Sequence, residues 1–134
     1  MSRELPVLSN WKARTTPPIF IQKDLYMSDT LDELMVQIHG RVKDMPEGSY
    51  TTKLLEGGVP KMGAKIMEEA GEVVEAAEQA APGDNDHVVY EACDLIYHLW
   101  VLLGSRNITV DQLRTELARR FGVSGLEEKA SRNK

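Results

Sequence analysis

Five acidic residues carry the chemical interest of this chain: Glu68, Glu69 and Glu72, then Glu91 and Asp94. Glu69 and Glu72 stand three apart, as do Glu91 and Asp94, and on an α-helix residues i and i+3 share a face. Two such pairs on facing helices bring four carboxylates together. Between Glu68 and Asp94 lie nine acidic residues and no Lys or Arg, while the rest of the 134-residue chain carries 16 basic and 12 acidic residues. Carboxylates that converge without a basic residue between them repel one another unless a cation sits among them. An all-oxygen donor set selects Mg²⁺, Mn²⁺ or Ca²⁺. The plainer reading, a solvated acidic face with ordinary salt bridges to Lys61 or Lys65, suits Glu75 and Glu78 better than it suits the quartet.

The elements that must position these residues are helices. Leu31, Leu34, Met35, Ile38 and Val42 recur at helical spacing and predict a first helix from Thr30, with Thr30 and Glu33 as its capping box, to about Lys43. Residues 45–59 hold Pro46, Gly48, Gly57 and Gly58 and read as a loop with room for one helical turn at Thr52–Glu56. A second helix is expected from Pro60 to about residue 81, ended by Pro82-Gly83. A third, capped within Asp84-Asn85-Asp86, runs to Gly104 as its C-cap glycine. Thr109 and Gln112 open a fourth, closed by Gly122, and the tail has room for a short turn. No strand alternation, heptad array or repeat is visible. The expected class is therefore all-α, an antiparallel bundle of about four to five helices, with the second and third forming a hairpin.

On a helical wheel the second helix has a stripe of Lys61, Lys65, Glu68, Glu69 and Glu72, beside a core face of Met62, Ile66, Ala70, Val73, Val74 and Ala77. The third helix is apolar around most of its circumference and should be largely buried. Glu91 and Asp94, with His87 and His98, form its one continuous polar stripe. A carboxylate there must be protonated or paired, because an isolated charge in an apolar interior is very costly. A hairpin turning near Gly83 sets Glu72 across from Asp94. One small monomer buries so apolar a helix with difficulty, so a homodimer is expected.

With 42% hydrophobic residues the chain can build one core. Residues 1–29, with three prolines and no sustained period, read as an extension before a domain at 30–134. The net charge of −5 argues against general nucleic-acid or anionic-membrane binding. No uninterrupted apolar run approaches a membrane span, the nearest being Leu95–Leu103. A single cysteine, Cys93, and the lack of a secretory signal make a cytoplasmic location the expectation, with Cys93 as a buried packing residue.

The run Glu47-Gly48-Ser49-Tyr50-Thr51-Thr52-Lys53-Leu54-Leu55-Glu56-Gly57-Gly58, then Pro60-Lys61, Lys65, Glu68-Glu69-x-x-Glu72 and Glu91-x-x-Asp94-Leu95-Ile96-Tyr97-His98, closely resembles the phosphoribosyl-ATP pyrophosphohydrolases of histidine biosynthesis. These belong to the wider MazG-like all-α NTP pyrophosphohydrolases. The acidic pattern is shared across that superfamily, whereas the Ser-Tyr-Thr-x-Lys-Leu loop with Gly-Gly-x-Pro-Lys is narrower. The resemblance covers about residues 30–132 and leaves the first 29 outside. It implies a Mg²⁺-dependent hydrolysis of phosphoribosyl-ATP to phosphoribosyl-AMP and pyrophosphate, with Mn²⁺ a substitute, and a homodimer. Glu69, Glu72, Glu91 and Asp94 would hold the metal, with Glu68 a further ligand or a base. Lys53, Lys61 and Lys65 are the candidates for phosphate, and Ser49, Tyr50 and Thr51 for phosphate or ribose oxygens. His98 could orient a ligand, although a satisfied core histidine fits equally, and Tyr97 and Trp100 read as core. The alternatives are a house-cleaning pyrophosphohydrolase of plain nucleoside triphosphates and a non-catalytic dimerisation module.

Overall fold

The computed structural model describes residues 29–122 and 125–132. These form six helices: α1 (Thr30–Asp44), α2 (Tyr50–Glu56), α3 (Gly58–Gln79), α4 (Asp86–Ser105), α5 (Val110–Arg120) and α6 (Gly125–Arg132), with no strand among the described residues. The all-α class is as expected. The helices beyond the expected number are the short ones, α2 and α6, where the sequence offered single turns. The expected extension over residues 1–29 lies outside the described residues except for Asp29.

Asp29, and not Thr30, caps α1, in a reciprocal box with Asp32. Both offer carboxylates to backbone N–H groups at 3.0–3.1 Å, which also suits the positive end of the helix dipole. Thr109 and Gln112 form the expected box on α5. Ser49 caps α2 through its hydroxyl, which accepts from the Thr52 N–H. That cap turns the expected loop into a helix of seven residues.

Residues 80–85 fold α3 back on α4 as the expected antiparallel hairpin, the most extensive contact among the described residues. Helix α1 packs on α4, α2 touches α1, α3 and α4, and α5 closes against α1. Leu34, Met35, Ile38, Leu54, Met62, Tyr97, Trp100, Val101 and Val110 form the core. Trp100 donates its indole N–H to the Leu31 carbonyl, and His39 donates from Nε2 to the Ile108 carbonyl, both at 3.0 Å.

Gly104 is not the C-cap of α4. The helix continues to Ser105, and a Cβ on Gly104 would stand 2.7 Å from Ile38 Cγ2, so the glycine lets α1 approach. Gly57 has a comparable place at the α2–α3 junction, where a Cβ would meet the Lys61 stem at 2.4 Å.

Helix α4 is less enclosed than its sequence predicts. Glu91, Asp94, Tyr97, His98, Trp100, Val101 and Gly104 are buried, but Val89 is 58% exposed and Leu95, Ile96, Leu99, Leu102 and Leu103 are only half-buried. Cys93 is half-buried too. By length and composition α4 is long and apolar enough to cross a membrane, although polar residues interrupt its apolar run. Its carboxylates and His98 face the bundle, as in the core helix of a globular domain.

Candidate active site

The carboxylates meet across the α3–α4 hairpin. The buried residues of α3 are Met62, Glu69 and Ala76, spaced by seven and therefore aligned on one stripe. The core face expected from the wheel is rotated toward the acids, leaving Val74 59% exposed. The physical reason lies on α4, which presents Glu91, Asp94 and His98 to this side. Glu69 can share a cation with those groups, which a valine cannot; without one the three carboxylates repel.

Glu69, Glu91 and Asp94 are 1–3% exposed, and each offers an oxygen within 4.8 Å of the others. Glu68, Glu69 and Glu72 form a second group at the same spacing, with Glu68 exposed and Glu72 half-buried. Glu69 belongs to both groups and joins them. It is Glu69, not Glu72, whose oxygen is grouped with those of Glu91 and Asp94.

Basic groups stand at the edge of this cluster. Lys65 hydrogen-bonds Glu68 and lies 3.7 Å from Glu69, while His87 Nε2 on the solvent side is 3.6 Å from Glu91. Burial pulls the Lys65 ammonium down, but the bond to Glu68 and the neighbouring Tyr50, Glu68 and Glu69 outweigh it and hold Lys65 above its ordinary value. The lysine stays charged at the site.

Tyr50, the first residue of α2, reaches the same place. Its hydroxyl lies 3.0 Å from His98 Nε2, and its ring packs edge-on to His98 and stacked on Tyr97. Burial pushes the Tyr50 phenol upward. The Lys65 charge opposes this, and Glu69, Glu68 and Asp94 add to it.

The other expected substrate residues are placed differently. The Ser49 hydroxyl serves as the α2 cap. Thr51 is fully buried, with its hydroxyl bonded to Tyr97 and approached by Arg41 at 3.5 Å. Burial pushes the Tyr97 phenol up to about 12, so Thr51 and Tyr97 form a neutral internal link between α2 and α4. Lys53 and Lys61 are exposed, and their ammonium groups are not among the contacts of the cluster. His98 was on the polar stripe but not among the expected site residues. Its spacing of four from Asp94 was the signal, since its Nδ1 lies 2.8 Å from the Asp94 carbonyl.

Carboxylates gathered at one buried level from two antiparallel helices of an all-α bundle are the arrangement expected of a MazG-like pyrophosphohydrolase. The family model "Phosphoribosyl-ATP pyrophosphohydrolase" matches residues 31–121. The chain is 53% identical over 102 residues to the phosphoribosyl-ATP pyrophosphatase of Rhodopirellula baltica, covering 76% of this chain and 85% of that protein. It is 47% identical over 102 residues to the protein of that name from Trichlorobacter lovleyi, covering 76% and 92%. With that of Erythrobacter litoralis it shares 45% over 104 residues, covering 78% and 97%. The chain belongs to the phosphoribosyl-ATP pyrophosphohydrolase family.

Proposed function

We propose that this chain hydrolyses the α–β phosphoanhydride of phosphoribosyl-ATP to phosphoribosyl-AMP and pyrophosphate, the second step of histidine biosynthesis, and that the reaction depends on Mg²⁺ or, in its place, Mn²⁺. The observation that carries this reading is the meeting of Glu69 from α3 with Glu91 and Asp94 from α4 in the bundle interior. Their chemistry fits a hard divalent ion. Oxygens on one Mg²⁺ at about 2.1 Å lie up to about 4.2 Å apart, so small side-chain movements close the present spacing.

Glu69, Glu91 and Asp94 would hold the ion, with Glu72 beside Glu69. When bound, it would neutralise phosphate charge and make the phosphorus more open to attack. Glu68, joined to Lys65 at the solvent edge, would take the proton from the attacking water as the water oxygen bonds to the α phosphorus and pyrophosphate leaves. Lys65 offers a fixed cation to the departing phosphates. Lys53 on α2 and Lys61 near the start of α3, both exposed, would fold over a bound triphosphate from solvent, whereas Ser49 and Thr51 shape α2 from within.

The half-buried apolar side of α4 and the exposed Met67, Val74, Val89 and Tyr90 support a homodimer. A domain at 30–134 preceded by an extension, in the cytoplasm, completes the proposal. The test of substrate is hydrolysis of phosphoribosyl-ATP against a panel of plain nucleoside triphosphates in Mg²⁺. Preference for phosphoribosyl-ATP is expected, and a marked preference for the plain triphosphates overturns the assignment.

A further inference from the structure

Two hydrogen bonds of the His98 ring fix a direction. Its Nδ1 lies 2.8 Å from the Asp94 carbonyl oxygen, which can only accept, so Nδ1 carries the proton. In the neutral ring Nε2 is then bare, and at 3.0 Å it accepts the Tyr50 O–H. His98 is 1% exposed and held edge-on between Tyr50 and Tyr97, so the ring cannot readily turn over and exchange its nitrogens. With its proton committed to His98, the Tyr50 oxygen presents lone pairs to whatever approaches. Through His98 the Tyr50 hydroxyl is tied to Asp94 and so lies beside the buried carboxylates, where Lys65, Glu69, Glu68 and Asp94 are the charges that act on it.

We propose that His98 is a positioning residue that makes Tyr50 a hydrogen-bond acceptor in the substrate site, there to receive a ribosyl hydroxyl of the nucleotide. This rests on the hydrolytic reading above and refines it. A phenol free to rotate could donate to phosphate, whereas one held by His98 selects a donor. The hydroxyls of a sugar supply such donors, and phosphate oxygens without protons do not. The contact is remote from the phosphorus under attack, so its loss weakens binding more than it slows chemistry.

The test compares Tyr50→Phe, His98→Asn and His98→Gln with the wild type. Asparagine retains a donor near the Nδ1 position but no acceptor within reach of Tyr50. Glutamine can place its carbonyl oxygen near the Nε2 position. Tyr50→Phe and His98→Asn should each raise KM for phosphoribosyl-ATP about three- to tenfold with kcat little changed, the worth of one neutral hydrogen bond. His98→Gln should recover most of the loss seen with asparagine, and the Tyr50→Phe/His98→Asn double variant should be no worse than either single.

Additive losses, no KM change in Tyr50→Phe, or a fall in kcat with unchanged KM would overturn the proposal. Nitrogen NMR of the His98 ring decides the direction without any turnover: a protonated Nδ1 and a bare Nε2 that shifts in Tyr50→Phe are expected, and a proton on Nε2 refutes it. An inactive wild type would instead refute the hydrolytic reading and, with it, the sugar contact, leaving the ring tautomer measurable on its own.

Discussion

Two groups of carboxylates in this molecule look alike on paper and differ in what surrounds them. At the start of α1, Asp29 and Asp32 meet Asp111 of α5 around Arg114, with Asp32 Oδ1 2.8 Å and Asp111 Oδ1 2.7 Å from the guanidinium. Between α3 and α4, Glu69 meets Glu91 and Asp94 out of reach of solvent. The first group encloses its own cation at the surface, and its arginine ties α5 to the cap of α1. The second has Lys65 and His87 at its edge. Acidic residues around a protein-borne cation make a fastening; the buried acidic residues are the ones proposed above to hold an ion.

The contrast is broken most directly by substituting each group in turn. Glu69→Gln or Asp94→Asn should lower phosphoribosyl-ATP turnover by more than about a hundredfold while helical content by circular dichroism is unchanged. Asp32→Asn should leave turnover close to wild type. Equal losses from both groups would erase the distinction.

The junction of the two regions is the α1–α4 contact at Gly104. A methyl group there meets Ile38, so Gly104→Ala should cost about 1–3 kcal/mol in denaturant unfolding, and a neutral outcome would show the contact to be slack. Smaller effects follow from charge. Without added metal, Glu72→Gln and Asp94→Asn relieve carboxylate repulsion and should unfold at the wild-type temperature or above. Marked apo destabilisation of both would mean the acids are held by internal partners, as in the Arg114 group.

That group gives the smallest effect. The hydrogen bond from Arg114 holds the Asp32 carboxyl well below the usual carboxylate range. Because its folded value is depressed, the stabilisation is fully present above the unfolded value and fades as pH falls through the acid range toward the folded one. Arg114 is partly exposed, so Arg114→Ala should destabilise the fold only slightly at neutral pH and progressively less in acid. A deficit that grows on acidification would contradict this.

Much of the molecule was legible in the sequence because helix periods and acidic spacing are local. Thr109 and Gln112 form the box their spacing announced, and Pro82-Gly83 does separate α3 from α4. Other features depend on partners far along the chain. Gly104 looked like a stop signal, yet its role is decided by Ile38, 66 positions earlier. The rotation of α3 that takes Glu69 inside and turns Val74 outside is set by the polar face of α4, which no wheel drawn on α3 alone contains. Thr51 shows the same limit: a hydroxyl in a promising loop is spent on Tyr97 once α2 packs. His98 was visible as part of a stripe, but the direction of its bonds required Tyr50 to arrive from another helix.

Titration with Mn²⁺ followed by electron paramagnetic resonance, on the wild type, Glu69→Gln and Asp32→Asn, bears most directly on the buried carboxylates as a metal centre. Saturable binding in the wild type and in Asp32→Asn, sharply weakened in Glu69→Gln, is the result expected. Binding unaltered by Glu69→Gln, or lost equally in Asp32→Asn, would contradict it.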